Sequence, residues 1–256
     1  MKTACITGAT SGIGEAVAFR LAKENMNLIL TGRREERLEK LKKEIEAARG
    51  VRVHTLSFDV RNYDEVRRAF DSLPDEWQEM ETLVNNAGLA VGLDPLHEGA
   101  VDDWERMIDT NIKGLLYVTR VVSPAMVARK SGHIVNIGSI AGKEVYPNGA
   151  VYCATKHAVD ALSKGMRMDL LPHGIRVTQI CPGAVETEFS LVRFKGDQHR
   201  ADQVYDGFVP LSAADIAEAV GFAVTQPPHV NIQDLLVMPT AQAAATRFHK
   251  TSNNDE

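Results

Sequence analysis

The sequence has few cysteines and no long apolar run, and both shortages narrow what the protein can be. The cysteines Cys5, Cys153 and Cys181 are dispersed and lack the spacing of metal ligands, so we expect reduced thiols and no bound metal. No apolar stretch approaches the ~20 residues that span a bilayer. A strand-like run begins at Thr3, which leaves no room for a signal peptide. These features predict a cytoplasmic protein that does not associate with membranes.

An excess of basic residues is also missing. The chain has 29 Lys and Arg against 34 Asp and Glu, which gives a net charge of −5. Nucleic acids and anionic membranes are bound by basic surfaces, so we expect neither as a partner. The apolar fraction of 44% is that of an ordinary globular protein, and 256 residues suit one large α/β domain.

Short apolar runs alternate with longer amphipathic segments along the whole chain, beginning with helix candidates at Gly12–Glu24 and Arg34–Arg49. Such alternation predicts right-handed βαβ crossovers and a parallel sheet covered on both faces. No linker or repeat interrupts it, so residues 1–256 are interpreted as a single domain. The predicted strands are Thr3–Thr7, Asn27–Thr31, Val51–Ser57, Thr82–Asn86, Gly132–Gly138, Arg176–Cys181 and Asp234–Met238.

Two segments depart from this alternation. About thirty residues between Cys181 and Ser212 show no clear periodicity. This connection leaves the carboxyl end of a strand, where open α/β sheets bind their ligands, so residues 188–211 are predicted to form a substrate-binding lid loop. Residues 246–256 are polar and are predicted to form a frayed tail.

A glycine-rich turn, Thr7-Gly8-Ala9-Thr10-Ser11-Gly12-Ile13-Gly14, joins the first strand to the first helix. Its glycines allow backbone N–H groups to approach a pyrophosphate at the helix N-terminus. The spacing differs from the Gly-x-Gly-x-x-Gly fingerprint of dinucleotide-binding folds. An alternative interpretation is that the glycines serve only a tight turn.

No carboxylate stands at the end of the second strand, where an NAD-preferring site places an acid on the ribose 2′-hydroxyl. Arg33 and Arg34 occupy this place, and Glu35 follows them. Guanidinium groups suit a 2′-phosphate, so the sequence predicts NADP(H) rather than NAD(H). The alternative is that at least one arginine merely begins a charged helix.

Tyr152 and Lys156 lie one helical turn apart, with Ser139 thirteen residues upstream of the tyrosine. Side chains at i and i+4 project from one face of a helix. We therefore expect the lysine ammonium to lower the pKa of the phenol and to make it a proton donor or acceptor near neutral pH.

Together these motifs, in this order, resemble those of the short-chain dehydrogenase/reductase family, and the resemblance covers almost the whole chain. It implies a single-domain Rossmann-like α/β oxidoreductase with a doubly wound parallel sheet of about seven strands, and a homotetramer or dimer. The catalytic residues that it implies are Asn111, Ser139, Tyr152 and Lys156. The cofactor-binding residues that it implies are Gly8, Thr10, Ser11, Gly12, Ile13, Gly14, Arg33, Arg34, Asp59, Val60, Asn86, Ala87, Gly88, Tyr152, Lys156, Pro182, Gly183, Val185 and Thr187.

The resemblance also implies roles. Tyr152 exchanges the proton, Ser139 holds the reacting oxygen, Lys156 also binds the nicotinamide ribose, and Asn111 holds a water in a proton relay. Asp59 accepts a hydrogen bond from the adenine amino group. The competing interpretation for Asp59 is a helix cap, and Asn85-Asn86 could be turn residues only.

Two segments, Val185–Gly196 and Met238–Gln242, resemble the NADP-dependent 3-hydroxy acid dehydrogenases of this family. The resemblance implies oxidation of serine and related 3-hydroxy acids, or reduction of the semialdehydes. A carboxylate substrate needs a cation, which we expect from Arg193 and Lys195. The alternative is ordinary charge on the surface of the lid. The predicted substrate residues are Ser139, Tyr146, Tyr152, Arg193 and Lys195.

Two other functions remain open at this point. A general NADPH carbonyl reductase for neutral ketones, aldehydes or quinones would share the same motifs, and only the pocket would distinguish it. A dinucleotide-binding regulator without catalysis is the more distant alternative, because all the catalytic positions are intact. Gly114–Ala128 and Ala150–Leu171 match helices that pair subunits in related proteins, but their apolar residues could equally pack against the sheet.

Overall fold

A computed structural model of the chain describes residues 1–251. Its strands are β1 Thr3–Thr7, β2 Asn27–Gly32, β3 Val53–Ser57, β4 Thr82–Asn85, β5 Gly132–Ile137, β6 Ile175–Pro182, β7 Val185–Glu186, β8 Leu211–Ser212, β9 Asp234–Val237, β10 Gln242–Ala244 and β11 Arg247–Phe248. Its α-helices are α1 Gly12–Lys23, α2 Glu35–Arg49, α3 Tyr63–Asp71, α4 Asp75–Gln78, α5 Val101–Ile108, α6 Leu115–Arg129, α7 Ala150–Leu170, α8 Glu188–Arg193, α9 Gln198–Gln203 and α10 Ala213–Val224.

Seven strands form one parallel sheet in the order β3-β2-β1-β4-β5-β6-β9. Every strand predicted from the sequence is present, with ends shifted by at most two residues; β3, for example, begins at Val53 rather than Val51. The β7–β8 and β10–β11 pairs are too short for a period of two to show in the sequence.

Alternate residues of each strand face opposite layers of helices. From β1, Ala4 and Ile6 enter a core cluster that includes residues of α1, α2 and α10. Cys5, between them, packs in a second cluster with Phe70 of α3 and Val122 of α6. Both faces of the sheet are therefore buried, which explains why β1 reads as a continuous apolar run. The predicted doubly wound fold is confirmed.

The strand order reverses between β1 and β4, because β2 and β3 lie on one side of β1 while β4, β5 and β6 follow on the other. The pairing of Ala4 with Thr82 and of Ile6 with Val84 sets the register of the two strands. Connections that leave opposite faces at such a point open a crevice beyond the carboxyl ends of the strands. The loops after β1, β4, β5 and β6 meet there.

The predicted lid, residues 188–211, is more regular than the sequence indicated. It contains the helices α8 and α9, each six residues long. The Thr187 hydroxyl caps α8 by accepting from Phe189 N, and the Asp197 carboxylate caps α9 by accepting from Arg200 N. Helices of less than two turns present too few residues for a periodic pattern, so capping residues were the available signal.

The prediction of a frayed tail is wrong for residues 246–251. The strand β11 pairs with β10, and Thr251 N donates to the Gly207 carbonyl oxygen at 2.8 Å. The Phe248 ring lies 5.0 Å from the Phe208 ring, centroid to centroid. These backbone and aromatic contacts with the lid outweigh the polar composition of the segment. Residues 252–256 of the predicted tail lie outside the described residues.

The two helices considered for subunit pairing have mixed faces. Leu115, Val118 and Val122 of α6 are buried against the sheet, whereas Leu116 is exposed, as is Met168 of α7. The homotetramer stays a prediction. Across residues 1–251, no helix combines the length and apolarity needed to traverse a bilayer.

Candidate active site

A cavity of about 710 Å³ lies at the carboxyl ends of the strands, within the size range of small-molecule sites. The connections after β1 to β6 and the lid form its walls. Every predicted cofactor residue except Gly14 lines this cavity, as do Ser139, Tyr146 and Arg193. The structure thus gathers motifs that are up to 185 residues apart, from Gly8 to Arg193, into one site.

The glycine-rich turn is shaped to receive an anion. Gly8 and Gly12 adopt φ angles of 66° and 56°, which favour glycine. A Cβ on Gly14 would lie 2.3 Å from the Gly8 carbonyl oxygen, so Gly14 allows α1 to pack against the turn rather than lining the cavity. Ser11, at the N-cap of α1, makes no side-chain capping bond. The first N–H groups of this 12-residue helix therefore remain available to a pyrophosphate.

The two arginines after β2 have different surroundings. Arg33 is exposed and lines the cavity, and within residues 1–251 its guanidinium takes part in no salt bridge. Arg34 is held by Thr10, Ser11 and Glu188. The positive charge beside the glycine-rich turn fits a 2′-phosphate.

Asp59 follows β3 and is held by Arg61, whose Nη2 lies 2.6 Å from Asp59 Oδ2. Partial burial raises the pKa of Asp59, but hydrogen bonds from Arg61 outweigh burial and bring this pKa below its usual value. The side chain that caps α3 is Asn62, which accepts from Asp64 N, so the helix-cap interpretation of Asp59 is wrong.

Asn86, after β4, is more than a turn residue. Its Nδ2 donates to the carbonyl oxygens of Thr7 and Gly8 at 2.9 and 3.1 Å. These bonds tie the end of β4 to the glycine-rich turn after β1, the two sides of the crevice.

Tyr152 and Lys156 share one face of α7 and both line the cavity, although the fold buries them. Lys156 Nζ donates to the Ile137 carbonyl oxygen at 2.9 Å and lies 6.0 Å from the centroid of the Tyr152 ring. Burial lowers the pKa of Lys156 to about 8.

The prediction that Lys156 lowers the pKa of Tyr152 is not what the structure shows. Burial raises the pKa of Tyr152 above its usual value, and the nearby phenol of Tyr146 adds to the increase. Ser139 and Arg193 act in the opposite direction but do not compensate. Desolvation dominates because the phenol is only 8% exposed.

Ser139 ends the segment after β5 and begins a short 3₁₀-helix, where its Oγ accepts from Ala141 N at 3.1 Å. The hydroxyl proton thus remains available for a reacting oxygen, because accepting the Ala141 bond uses only a lone pair.

Asn111 lies in a π-helix, Asp109–Gly114, between α5 and α6 and does not line the cavity. Its side chain exchanges two hydrogen bonds with the Leu89 backbone, at 2.9 and 2.8 Å, and donates to Thr155 Oγ1 at 3.0 Å. These bonds hold the segment after β4 against α7 at Thr155, the residue that precedes Lys156. π-Helical turns are frequent at functional sites.

Arg193, the last residue of α8, extends over both aromatic rings of the site. Its Cζ lies 5.3 Å from the centroid of Tyr146 and 5.7 Å from that of Tyr152. Its Nε and Nη2 are buried, and within residues 1–251 neither has a hydrogen-bond partner. A guanidinium with buried, unsatisfied donors beside a phenol has the chemistry to receive an anion.

Lys195 does not reach the cavity, which corrects its prediction as a substrate residue. A positive φ of 55° at Lys195 turns the chain after α8, and its Nζ lies 2.7 Å from Asp103 Oδ2 of α5. This ion pair anchors the lid to the body of the protein.

Residues near the C-terminus form a wall of the cavity, and beyond the segment Met238–Gln242 the sequence did not predict them there. Gln242 Oε1 accepts from Ala184 N at 2.8 Å, and Phe248 and Lys250 line the cavity. Phe248, the one aromatic residue among residues 246–256, was the available signal that this segment packs.

A parallel sheet with an anion-binding turn at its switch point, and a Ser–Tyr–Lys group beside that turn, defines a dinucleotide-binding enzyme of the Rossmann-like class. Comparison with known proteins agrees. The profile of the family described as short chain dehydrogenase matches residues 2–197, and the chain belongs to this family.

Individual relatives cover nearly the full length. The NADP-dependent 3-hydroxy acid dehydrogenase YdfG of Salmonella typhi is 49% identical over 241 residues, 94% of this chain and 96% of that protein. Sulfoacetaldehyde reductase 2 of Chromohalobacter salexigens is 48% identical over 239 residues, 93% of this chain and 94% of that protein. The closed form of a serine dehydrogenase complexed with NADP⁺ superposes with a TM-score of 0.92 at 47% identity, covering 98% of this chain and 100% of that one.

Proposed function

We propose that this protein is an NADP(H)-dependent oxidoreductase that interconverts a small 3-hydroxy acid, such as serine, and the corresponding semialdehyde. The observation that carries the proposal is the guanidinium of Arg193, which points unsatisfied donors into the site next to Tyr152. Two relatives named for 3-hydroxy acids or serine support the same substrate class.

The residues present fit NADP(H). The N–H groups at the start of α1 would bind the pyrophosphate, and Arg33 would bind the 2′-phosphate. Asp59 lines the cavity and would accept a hydrogen bond from the adenine amino group, with its carboxylate kept ionised by Arg61. The names of the relatives support the same cofactor.

When bound, the nicotinamide ring supplies or accepts the hydride. In reduction, Tyr152 Oη donates its proton to the carbonyl oxygen, and in oxidation it takes the proton of the substrate hydroxyl. The raised pKa of Tyr152 keeps the phenol protonated at neutral pH, the form that reduction needs. Ser139 donates a hydrogen bond to the reacting oxygen and stabilises charge that develops on it.

Lys156 and Asn111 support the proton transfer. The Lys156 ammonium lies 6.0 Å from the centroid of the Tyr152 ring and favours the phenolate as the proton leaves, although burial keeps the pKa of Tyr152 above its usual value. Asn111 keeps α7 in place through its bonds to Leu89 and to Thr155, the residue before Lys156.

The position of Arg193 also limits substrate size. Its Cζ lies 5.7 Å from the centroid of the phenol ring that exchanges the proton. A substrate that touches both groups carries its anion only a few bonds from the reacting carbon. A 3-hydroxy acid meets this condition, and a sulfonate aldehyde of the same length offers the guanidinium equivalent oxygen acceptors.

The proposal is tested by initial rates with a substrate panel, followed by NADPH absorbance. The panel contains L- and D-serine, threonine and 3-hydroxyisobutyrate with NADP⁺, and sulfoacetaldehyde, neutral aldehydes, ketones and a quinone with NADPH. We expect kcat/KM for the anionic substrates to exceed that for neutral ones of similar size by at least about tenfold, the effect of one charge-assisted hydrogen bond. Turnover of the neutral carbonyls alone would instead identify a general carbonyl reductase.

The rate of reduction should depend on the protonation of Lys156. Because burial brings the pKa of this group to about 8, its ammonium is present at pH 7 and is lost as the pH rises through 8. We therefore expect kcat for carbonyl reduction, measured between about pH 6 and 10, to decline above pH 8 by up to about tenfold per unit. Lys156→Arg keeps a charge over this range, since arginine is not deprotonated in proteins. A wild-type profile that stays flat to pH 10 would contradict this role.

A further inference from the structure

Arg34 is engaged on two sides by the protein itself. Its Nε and Nη2 donate to Thr10 Oγ1 at 3.0 and 2.8 Å, and Nη2 also donates to Ser11 Oγ at 2.8 Å. Its Nη1 lies 3.2 Å from Glu188 Oε2. One guanidinium therefore joins the glycine-rich turn to the lid.

Glu188 is the first residue of α8 and receives a second arginine. Arg37 Nη1, from the first turns of α2, lies 3.0 Å from Glu188 Oε1. Partial burial raises the pKa of Glu188, but hydrogen bonds from Arg37 and Arg34 outweigh it and lower this pKa overall. The carboxylate therefore stays ionised, and its ion pairs hold throughout the neutral range.

The helix α8 connects Glu188 to Arg193, the proposed substrate anchor. Glu188 begins the helix and Arg193 ends it, six residues in all. Thr187, just before α8, packs on the same turn, since a Cβ on Gly12 would lie 3.3 Å from the Thr187 side chain. Fixing the start of α8 against the glycine-rich turn therefore fixes the position of the Arg193 guanidinium.

We propose that Arg34 and Glu188 link the cofactor-binding turn to α8, so that an ordered turn holds the substrate anchor Arg193 in position. Arg33 alone distinguishes NADP(H) from NAD(H). The inference rests on the proposed function for its cofactor and substrate. It assigns the two neighbouring arginines to different tasks. Arg33, exposed and unpaired within residues 1–251, offers its donors to a phosphate, whereas all three nitrogens of the Arg34 guanidinium already donate to Thr10, Ser11 or Glu188.

The proposed tasks of Arg33 and Arg34 predict different effects on cofactor affinity. We expect Arg33→Ala to raise the Kd of NADPH by on the order of 10- to 100-fold and to leave the Kd of NADH unchanged, because only NADPH carries the 2′-phosphate. Arg34→Ala should raise the Kd of both cofactors alike, by about two- to fivefold, as expected for a lost exposed contact. Arg49→Ala, at the other end of α2, removes a charge from the same helix and serves as the control. Fluorescence titration of the purified protein measures these constants without turnover.

The second measurement is the rate at which trypsin cleaves the lid. The trypsin sites Arg193, Lys195 and Arg200 all lie in residues 188–211. In the cofactor-free protein we expect Glu188→Gln and Arg34→Ala to speed cleavage there by about two- to fivefold, and Arg33→Ala and Arg49→Ala to leave it unchanged. Glu188→Gln should also raise KM for serine by a similar factor with little change in kcat, because the anchor is displaced and the acid–base group is not.

Opposite results would overturn the inference. A loss of NADPH selectivity in Arg34→Ala as large as in Arg33→Ala would assign Arg34 to the phosphate. Unchanged lid cleavage in Glu188→Gln would remove the link. Failure of the wild-type protein to prefer NADPH over NADH would instead contradict the proposed cofactor and the role of Arg33, and lid cleavage in the cofactor-free protein would still decide the link.

Discussion

Replacing Tyr152 with phenylalanine is expected to remove nearly all turnover and to preserve the fold. The phenol oxygen is the group that lies with Ser139 and Arg193 at the reacting end of the cavity, and the substitution deletes only that oxygen. General acid–base groups contribute about 10²–10⁴-fold, so kcat should fall by this factor in both directions of the reaction. The ring contact with Phe189, at 5.7 Å between centroids, needs no hydroxyl and remains.

Stopped-flow or steady-state NADPH absorbance measures the loss, and fluorescence titration measures NADPH binding in the same preparation. Tyr63→Phe removes a hydroxyl from a residue that is 39% exposed and lies outside the cavity lining, so it should retain wild-type kcat. A Tyr152→Phe protein with a rate near wild type would assign the proton transfer to another group. Loss of NADPH binding together with activity would indicate a structural defect rather than a chemical one.

Much of the fold followed from the sequence because its signals are local. The inner strands β1, β2 and β4 are buried at nearly every position, so each has an apolar centre in the sequence, whereas the edge strands β3 and β9 are only partly buried. What the sequence did not reveal depends on contacts between distant segments. The lid helices α8 and α9 are six residues each, and the order of the C-terminal segment depends on Phe248 meeting Phe208.

The same distinction applies to the site. Residues in motifs of fixed spacing, such as Tyr152 and Lys156, were found together in the cavity. Their pKa values were not predictable, because helical spacing reports which side chains share a face and does not report how much solvent reaches them. Arg193 and Lys195, two positions apart, looked equivalent as cations. The turn at Lys195 directs that side chain to Asp103 and leaves Arg193 in the site.

Replacing Arg193 with methionine is expected to separate carboxylate from neutral substrates. The variant keeps an unbranched side chain over Tyr146 and removes the donors that have no partner within residues 1–251. Hydrogen bonds to charged groups contribute about 1.5–3 kcal/mol, so KM for serine should rise on the order of 10- to 100-fold. KM for a neutral aldehyde should change little. Because Arg193 also lowers the pKa of Tyr152, its loss leaves the phenol still harder to ionise.

Lys195→Met is the matched control, since it removes a neighbouring positive charge whose ammonium is paired with Asp103 outside the cavity lining. The Lys195 ammonium is 57% exposed and the Asp103 carboxylate is 9% exposed, and neither side chain lines the cavity. Loss of this pair therefore acts on how the lid is held rather than on the bound anion, and KM for serine should change by less than about fivefold. Equal effects of the two substitutions would mean that the lid acts through its total charge, and an unchanged KM in Arg193→Met would place the carboxylate elsewhere. A large effect confined to Arg193 and to anionic substrates would show that this one guanidinium selects the substrate, because only a direct contact depends on both the residue and the charge of the ligand.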